Sequence, residues 1–131
     1  DRFDLSEDDL IIQCEQIANV AGLMSESSLG LVSSIGSEVI CRVAQEFLMC
    51  GTPVITTSVG SLPEVFVDKS FGGYYDHTKP VEAAEKIYKW LCLGHCETNL
   101  QRQARSLTAQ RFFSIERMSE DLMRIVRSTL S

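Results

Sequence analysis

At 131 residues, 44% apolar and 23% charged, the chain has the make-up of a soluble globular protein, long enough for one domain with its own core or for a piece of a larger one. A net charge of −6 supplies no basic footprint for a nucleic-acid partner. No apolar run reaches the length needed to cross a bilayer, and no signal peptide is expected at this N-terminus, so a cytoplasmic protein is the default expectation.

In chain order, Asp1 to Asp9 is a polar, acidic lead-in, and Leu10 to Cys14 is a short apolar run that suits either a strand or the start of a helix. Ile17 to Glu26 carries apolar residues at Ile17, Val20, Ala21, Leu23 and Met24, a helical spacing. Leu29 to Ser33 reads as a short strand bounded by Ser and Gly. Glu38 to Cys50 reads as a helix, with Val39, Val43, Phe47 and Cys50 along one stripe and Ile40, Ala44 and Leu48 beside it. Gly51 follows as a left-handed cap. Pro53 to Thr57 is short and β-branched, as a buried parallel strand should be.

Ser58 to Leu62 is then a Gly/Ser loop, and Pro63 to Phe66 a short helix with Pro at its first position and Glu64 as a first-turn acid. Phe71 to Tyr75 turns into a third strand. Val81 to Leu93 is an amphipathic helix whose inward face is read as Ala84, Ile87, Tyr88 and Leu91. Two more helices, Thr98 to Phe113 and Ser114 to Leu130, close the chain. Their Arg102, Arg105, Arg111, Arg117, Arg124 and Arg127 read as solvated helix surface. Alternating strands and helices predict an α/β fold, a Rossmann-like parallel sheet with flanking helices and a helical C-terminus, over the single unit 1–131.

In open parallel sheets, ligands sit outside the carboxyl ends of the strands. Ser33 to Ser37 and Ser58 to Leu62 leave two such ends, so both loops belong to one edge. The first is expected to run into a helix N-terminus at Ser37 and Glu38, where unpaired amides favour phosphate, with Gly36 allowing close backbone approach. The second, with Gly60, Ser61 and Leu62, is expected to offer more free amides. Glu38 and Glu46 are eight positions apart, two turns and about one further residue at roughly 3.6 residues per turn, so on one helix they point roughly the same way. Arg42, between them, is placed to pair with either at four residues' separation.

Glu38-x7-Glu46, then Cys50 to Ile55, Gly60 to Val65 and Gly72-Gly73-Tyr74 run in an order that resembles the donor-binding half of retaining glycosyltransferases of the GT-B fold. The likeness spans roughly Ile17 to Val126. It is closer to family-four enzymes, and the Ser37-Glu38…Arg42…Glu46 variant is similar to lipopolysaccharide-core members. The resemblance implies that Glu38 lies close to the transferred sugar as the catalytic carboxylate. It implies that Glu46 holds the nucleotide ribose, and that the Val39 and Ile40 amides approach the sugar and diphosphate. Gly36, Ser37, Gly60, Ser61 and Leu62 complete the expected donor-binding set. Val39-Ile40-Cys41 departs from the family's Gly-Phe-Gly.

The same resemblance implies a nucleotide-diphospho-sugar donor, a glycan or lipid-linked acceptor, and no cofactor, metal or nucleic acid. It leaves room for peripheral attachment of the intact enzyme at the inner membrane. The family's donor domain begins with two strand–helix units carrying basic residues, and an N-terminal domain binds the acceptor. Neither is found in these residues, so the chain is expected to hold part of a site, to be inactive alone, and to self-associate through its incomplete sheet. A competing reading is a non-catalytic flavodoxin-like or receiver-like interaction or regulatory domain, which would need an acidic cluster where these loops carry Gly and Ser.

Five cysteines (Cys14, Cys41, Cys50, Cys92 and Cys96), odd in number and irregular in spacing, suit free thiols of a reducing compartment. Cys92, His95 and Cys96 have the wrong spacing for a structural zinc site. His77 suits a surface loop, while Tyr74, Tyr75, Phe112 and Phe113 read as packing aromatics.

Overall fold

A computed structural model describes residue 11 and residues 15–36 and 38–130. The remainder of the Leu10–Cys14 run and Ser37 lie outside the described residues. Its elements are α1 (Val20–Glu26), β1 (Gly30–Val32), α2 (Arg42–Met49), β2 (Val54–Thr57), 3₁₀ turns at Leu62–Val65 and Lys69–Phe71, β3 (Gly72–Tyr75), α3 (Pro80–Cys96), α4 (Asn99–Phe112) and α5 (Ile115–Leu130). No helix among the described residues is long and apolar enough to cross a membrane.

The three strands form one parallel sheet in the order β1-β2-β3, with Gly30 opposite Val54 and Val54 opposite Gly72. The α/β architecture read from the sequence is therefore the one observed. β2 is fully buried along its length, which explains its β-branched composition. Its threonines are tolerated there because each hydroxyl finds a carbonyl: Thr56 Oγ1 donates to Thr57 O at 2.9 Å and Thr57 Oγ1 to Ser34 O at 2.5 Å. Ala44 and Leu48 of α2, Val54, Leu62, Val65, Phe71 and Ala109 of α4 make the core. Gly51, at φ +82°, ends α2 as its sequence position suggested.

β3 pairs with β2 only through a backbone available to glycine. Gly72 has φ +128°, and a Cβ there would run into the carbonyl oxygen of Val54. The outer side of β3 is guarded by Lys86, whose ammonium donates to the Tyr74 carbonyl at 2.5 Å.

Three expectations are corrected. Helix α2 begins at Arg42, not Glu38. Its would-be first carbonyls, Glu38 O and Val39 O, accept hydrogen bonds from Ser61 instead of from amides one turn on, so residues 38–41 stay irregular. The inward face of α3 is Ala83 and Gly94, with Ile87 and Trp90 half-buried, whereas Ala84, Tyr88 and Leu91 are exposed. The apolar residues of this helix span a broad arc beside a charged face of Glu82, Glu85, Lys86 and Lys89, so periodicity admits two stripes. The one with the smallest residues packs, because Gly94 lies against the Ser28 carbonyl where a Cβ would not fit.

The third correction concerns the arginines. Arg105 is 3% exposed and bonds to Ser70 O, Gly51 O and both carboxylate oxygens of Glu97. Arg102 is half-buried and donates to Ser25 O, Ser27 O and Thr52 Oγ1. Both tie α4 to the loops beneath the sheet. Arg111, Arg124 and Arg127 are exposed as expected.

Phe113 packs on Phe71 (centroids 6.2 Å), and Phe112 stacks under the Arg117 guanidinium (3.6 Å). Tyr74, read as a packing aromatic, is 46% exposed. Nothing on α5 is buried, and Ile115, Met118, Leu122 and Ile125 form an apolar stripe facing an open groove of about 600 Å³ shared with Ile40 and Phe113.

Candidate donor-site cleft

The loops leaving β1 and β2 meet at the carboxyl edge of the sheet, where an open cleft of about 620 Å³ lies between Leu31–Ser34 and Glu38–Val43. The meeting is built from the backbone. Thr57, at the end of β2, holds Ser34 O, and the Ser34 hydroxyl donates to Glu38 Oε2 at 3.0 Å. The Ser61 amide donates to Glu38 O at 3.0 Å, and its hydroxyl donates to Val39 O. Gly60, at φ +58°, lets the turn press against the Glu38 backbone, because a Cβ there would overlap the Glu38 carbonyl. The Glu38 backbone is thereby held by Ser61 and Gly60, and its half-buried carboxylate by the Ser34 hydroxyl.

Glu46 is on α2, exposed, one turn beyond Arg42, and does not line the cleft. Because Glu38 is off the helix, the alignment of the two carboxylates does not follow from helical spacing. Burial, and after it the Glu46 charge, pushes the Cys50 thiol above its ordinary value.

Gly36 is exposed with open space around it, and Val39 and Ile40 are exposed at 77% and 66%. The amides expected to be free in the second loop are corrected in part. Those of Ser61 and Leu62 are engaged by Glu38 O and Val59 O, and the Leu62 side chain is core. The amides of Val59 and Gly60 have no partner among the described residues.

Sequence reasoning missed two features. The first is that the phosphate-favouring helix start lies at Arg42–Ala44. Cys41 occupies the N-cap and contributes no side-chain bond, so the helix start beside the cleft is left without a side-chain cap. The second is Arg42. It lines the cleft with Glu38, and among the described residues it forms no ion pair with Glu38 or Glu46. The pairing expected from spacing is replaced by a guanidinium held at an uncapped helix start. The signal was the Val39-Ile40 pair, whose β-branching disfavours a helix beginning at Glu38.

If Ser61 clamps this wall, Ser61→Ala, which removes only the hydroxyl, should loosen residues 38–41 at a cost of about 0.5–1.5 kcal/mol. Hydrogen exchange of the residue-61 amide, which Glu38 O holds, should accelerate while that of β2 is unchanged. Equal exchange in both proteins would refute the clamp.

Among the described residues, no group of three His, Cys, Asp or Glu is placed to hold a metal, and Cys92 and Cys96 are exposed on α3.

Compared with known proteins, residues 5–107 match the family described as glycosyl transferases group 1. The chain is also 28% identical over 116 residues to spore coat protein SA of Bacillus subtilis, a match covering 87% of this chain and 30% of that protein. The chain therefore spans under a third of that relative's length. The parallel sheet with its Gly/Ser loops at one edge and a family match across more than three-quarters of the sequence agree: this chain belongs to the glycosyl transferases group 1 family.

Proposed function

We propose that this chain supplies part of the donor site of a retaining glycosyltransferase, which passes a sugar from a nucleotide-diphospho-sugar to a glycan or lipid-linked acceptor. The observation that carries the reading is that one cleft is lined by Glu38, whose carboxylate the Ser34 hydroxyl holds, and by Arg42 at the uncapped start of α2. Anions favour such a helix start, and a guanidinium suits a diphosphate better than a point charge would. Glu38 then lies beside the sugar, and Glu46, exposed on α2 one turn beyond Arg42 and outside the cleft lining, accepts from the ribose hydroxyls of a nucleotide that extends past the cleft.

Positive charge must stabilise the departing diphosphate. Arg42 alone is a small supply, and on this reading further basic residues and the acceptor-binding part belong to a longer polypeptide, with this chain inactive by itself. β1 pairs only with β2 among the described residues, so its outer edge is where further sheet, or a second copy, would add.

Calorimetric titration with UDP, GDP and ADP tests the site. At least one is expected to bind saturably, weakened about tenfold or more by Glu46→Ala and by Arg42→Ala, a loss near 1.4 kcal/mol. No saturable binding to any of the three, or unchanged affinity in Glu46→Ala, would overturn the assignment.

A further inference from the structure

Across the sheet from Glu38, β3 is flanked by a second open trough, of about 480 Å³. With two strand spacings of roughly 5 Å between β1 and β3, the troughs lie on opposite sheet edges. The floor is Gly72 and Gly73, so the strand there carries no side chain. The Trp90 indole nitrogen stands 3.9 Å from where a Gly73 Cβ would be, so the indole borders the bare strand. Phe66 and Tyr74 form the facing wall, with centroids 6.0 Å apart and planes tilted by 40°.

The rim is polar. Lys86 is fixed by its bond to the Tyr74 carbonyl and sits 5.8 Å from the Tyr74 ring centroid. Asp68 accepts the Ser70 amide and hydroxyl through Oδ1, and these bonds hold its carboxyl below the usual range. Lys69 is exposed beside it.

We propose that this trough is a saccharide-binding subsite, separate from the donor cleft, in which sugar C–H faces lie on Tyr74 and Trp90 while hydroxyls bond to Asp68, Lys69 and Lys86. A sugar ring is apolar on its faces and polar at its rim, and aromatic walls ringed by a few charged donors and acceptors match both. A nucleobase sandwich needs two parallel rings, which the tilted Phe66–Tyr74 pair does not offer. A peptide adding to the β3 edge needs the Tyr74 carbonyl that Lys86 occupies. A simple anion is opposed by the Asp68 carboxylate on the same rim.

Trp90 is the chain's single tryptophan, so its emission reports on this trough. Maltotriose, mannotriose and N-acetylchitotriose, each titrated into the full chain up to tens of millimolar, are the probes. At least one is expected to change Trp90 emission saturably. Tyr74→Ala should weaken that binding about tenfold, Tyr74→Phe should retain it, and Lys69→Ala, at an exposed position, should weaken it several-fold. Glu46→Ala should leave it untouched, which separates this subsite from the donor cleft. The proposal falls if no probe gives a saturable change. It also falls if Tyr74→Ala and Lys69→Ala, both native by circular dichroism, bind as well as the parent, or if binding is lost in Glu46→Ala alone.

Discussion

Arg105→Met is expected to lower the unfolding free energy by about 3–5 kcal/mol, the cost of breaking a buried ion pair by removing one partner. The guanidinium is almost wholly buried, and four groups depend on it: the carbonyls of Ser70 (2.5 Å) and Gly51 (2.8 Å) and the two oxygens of Glu97. Methionine fills much of the volume but donates nothing, so two carbonyls and a carboxylate that is 12% exposed lose their partner. Urea denaturation followed by circular dichroism would measure it. The double variant Arg105→Met/Glu97→Met should recover part of the loss, because it removes both charges together. An Arg105→Met midpoint within about 1 kcal/mol of the parent would show that the network contributes little.

Gly72→Ala is the second large effect, and it acts on the sheet itself. Its φ of +128° is closed to ordinary L-residues, and its Cβ would meet the Val54 carbonyl on the neighbouring strand. A strained backbone and an overpacked contact each cost about 1–3 kcal/mol, so a loss of roughly 2–6 kcal/mol is expected. Neither partner is a flexible side chain, so the register Val54–Gly72 must shift. Gly36→Ala is the matched control. Nothing lies near its would-be Cβ, and it should change stability by no more than about 0.5 kcal/mol in the same urea experiment. Equal effects at Gly36 and Gly72 would contradict the geometry.

The central strand β2 was legible because burial on both faces demands β-branched and small residues, and Val54 to Thr57 meet that demand by composition alone. The placement of both loops at one sheet edge followed from the topology of parallel sheets. The start of α2 was not legible, because the groups that compete for Glu38 O and Val39 O sit on Ser61, more than twenty residues away. The working face of α3 escaped for a different reason. Apart from its charged face of Glu82, Glu85, Lys86 and Lys89 the helix carries a broad apolar arc, and the close approach of Gly94 to Ser28 O selects one stripe within it. Arg105 was read as surface because arginine is so seldom buried. Its four partners come from three separate segments whose proximity no local pattern announces. At the site, the expected carboxylate at the cleft was found, while the supply of free amides was overestimated, since some of those donors hold the loops together.

The clamp on Glu38 separates two burdens that one loop might otherwise carry together. Its fixed shape depends on main-chain carbonyls and on Thr57, Gly60 and Ser61, whereas Gly36 has open space where a side chain would be, and the Val39 and Ile40 side chains are mostly exposed. Substitutions at those three positions are therefore expected to leave the frame around Glu38 undisturbed. The wall of this cleft is a fixed frame with interchangeable facing.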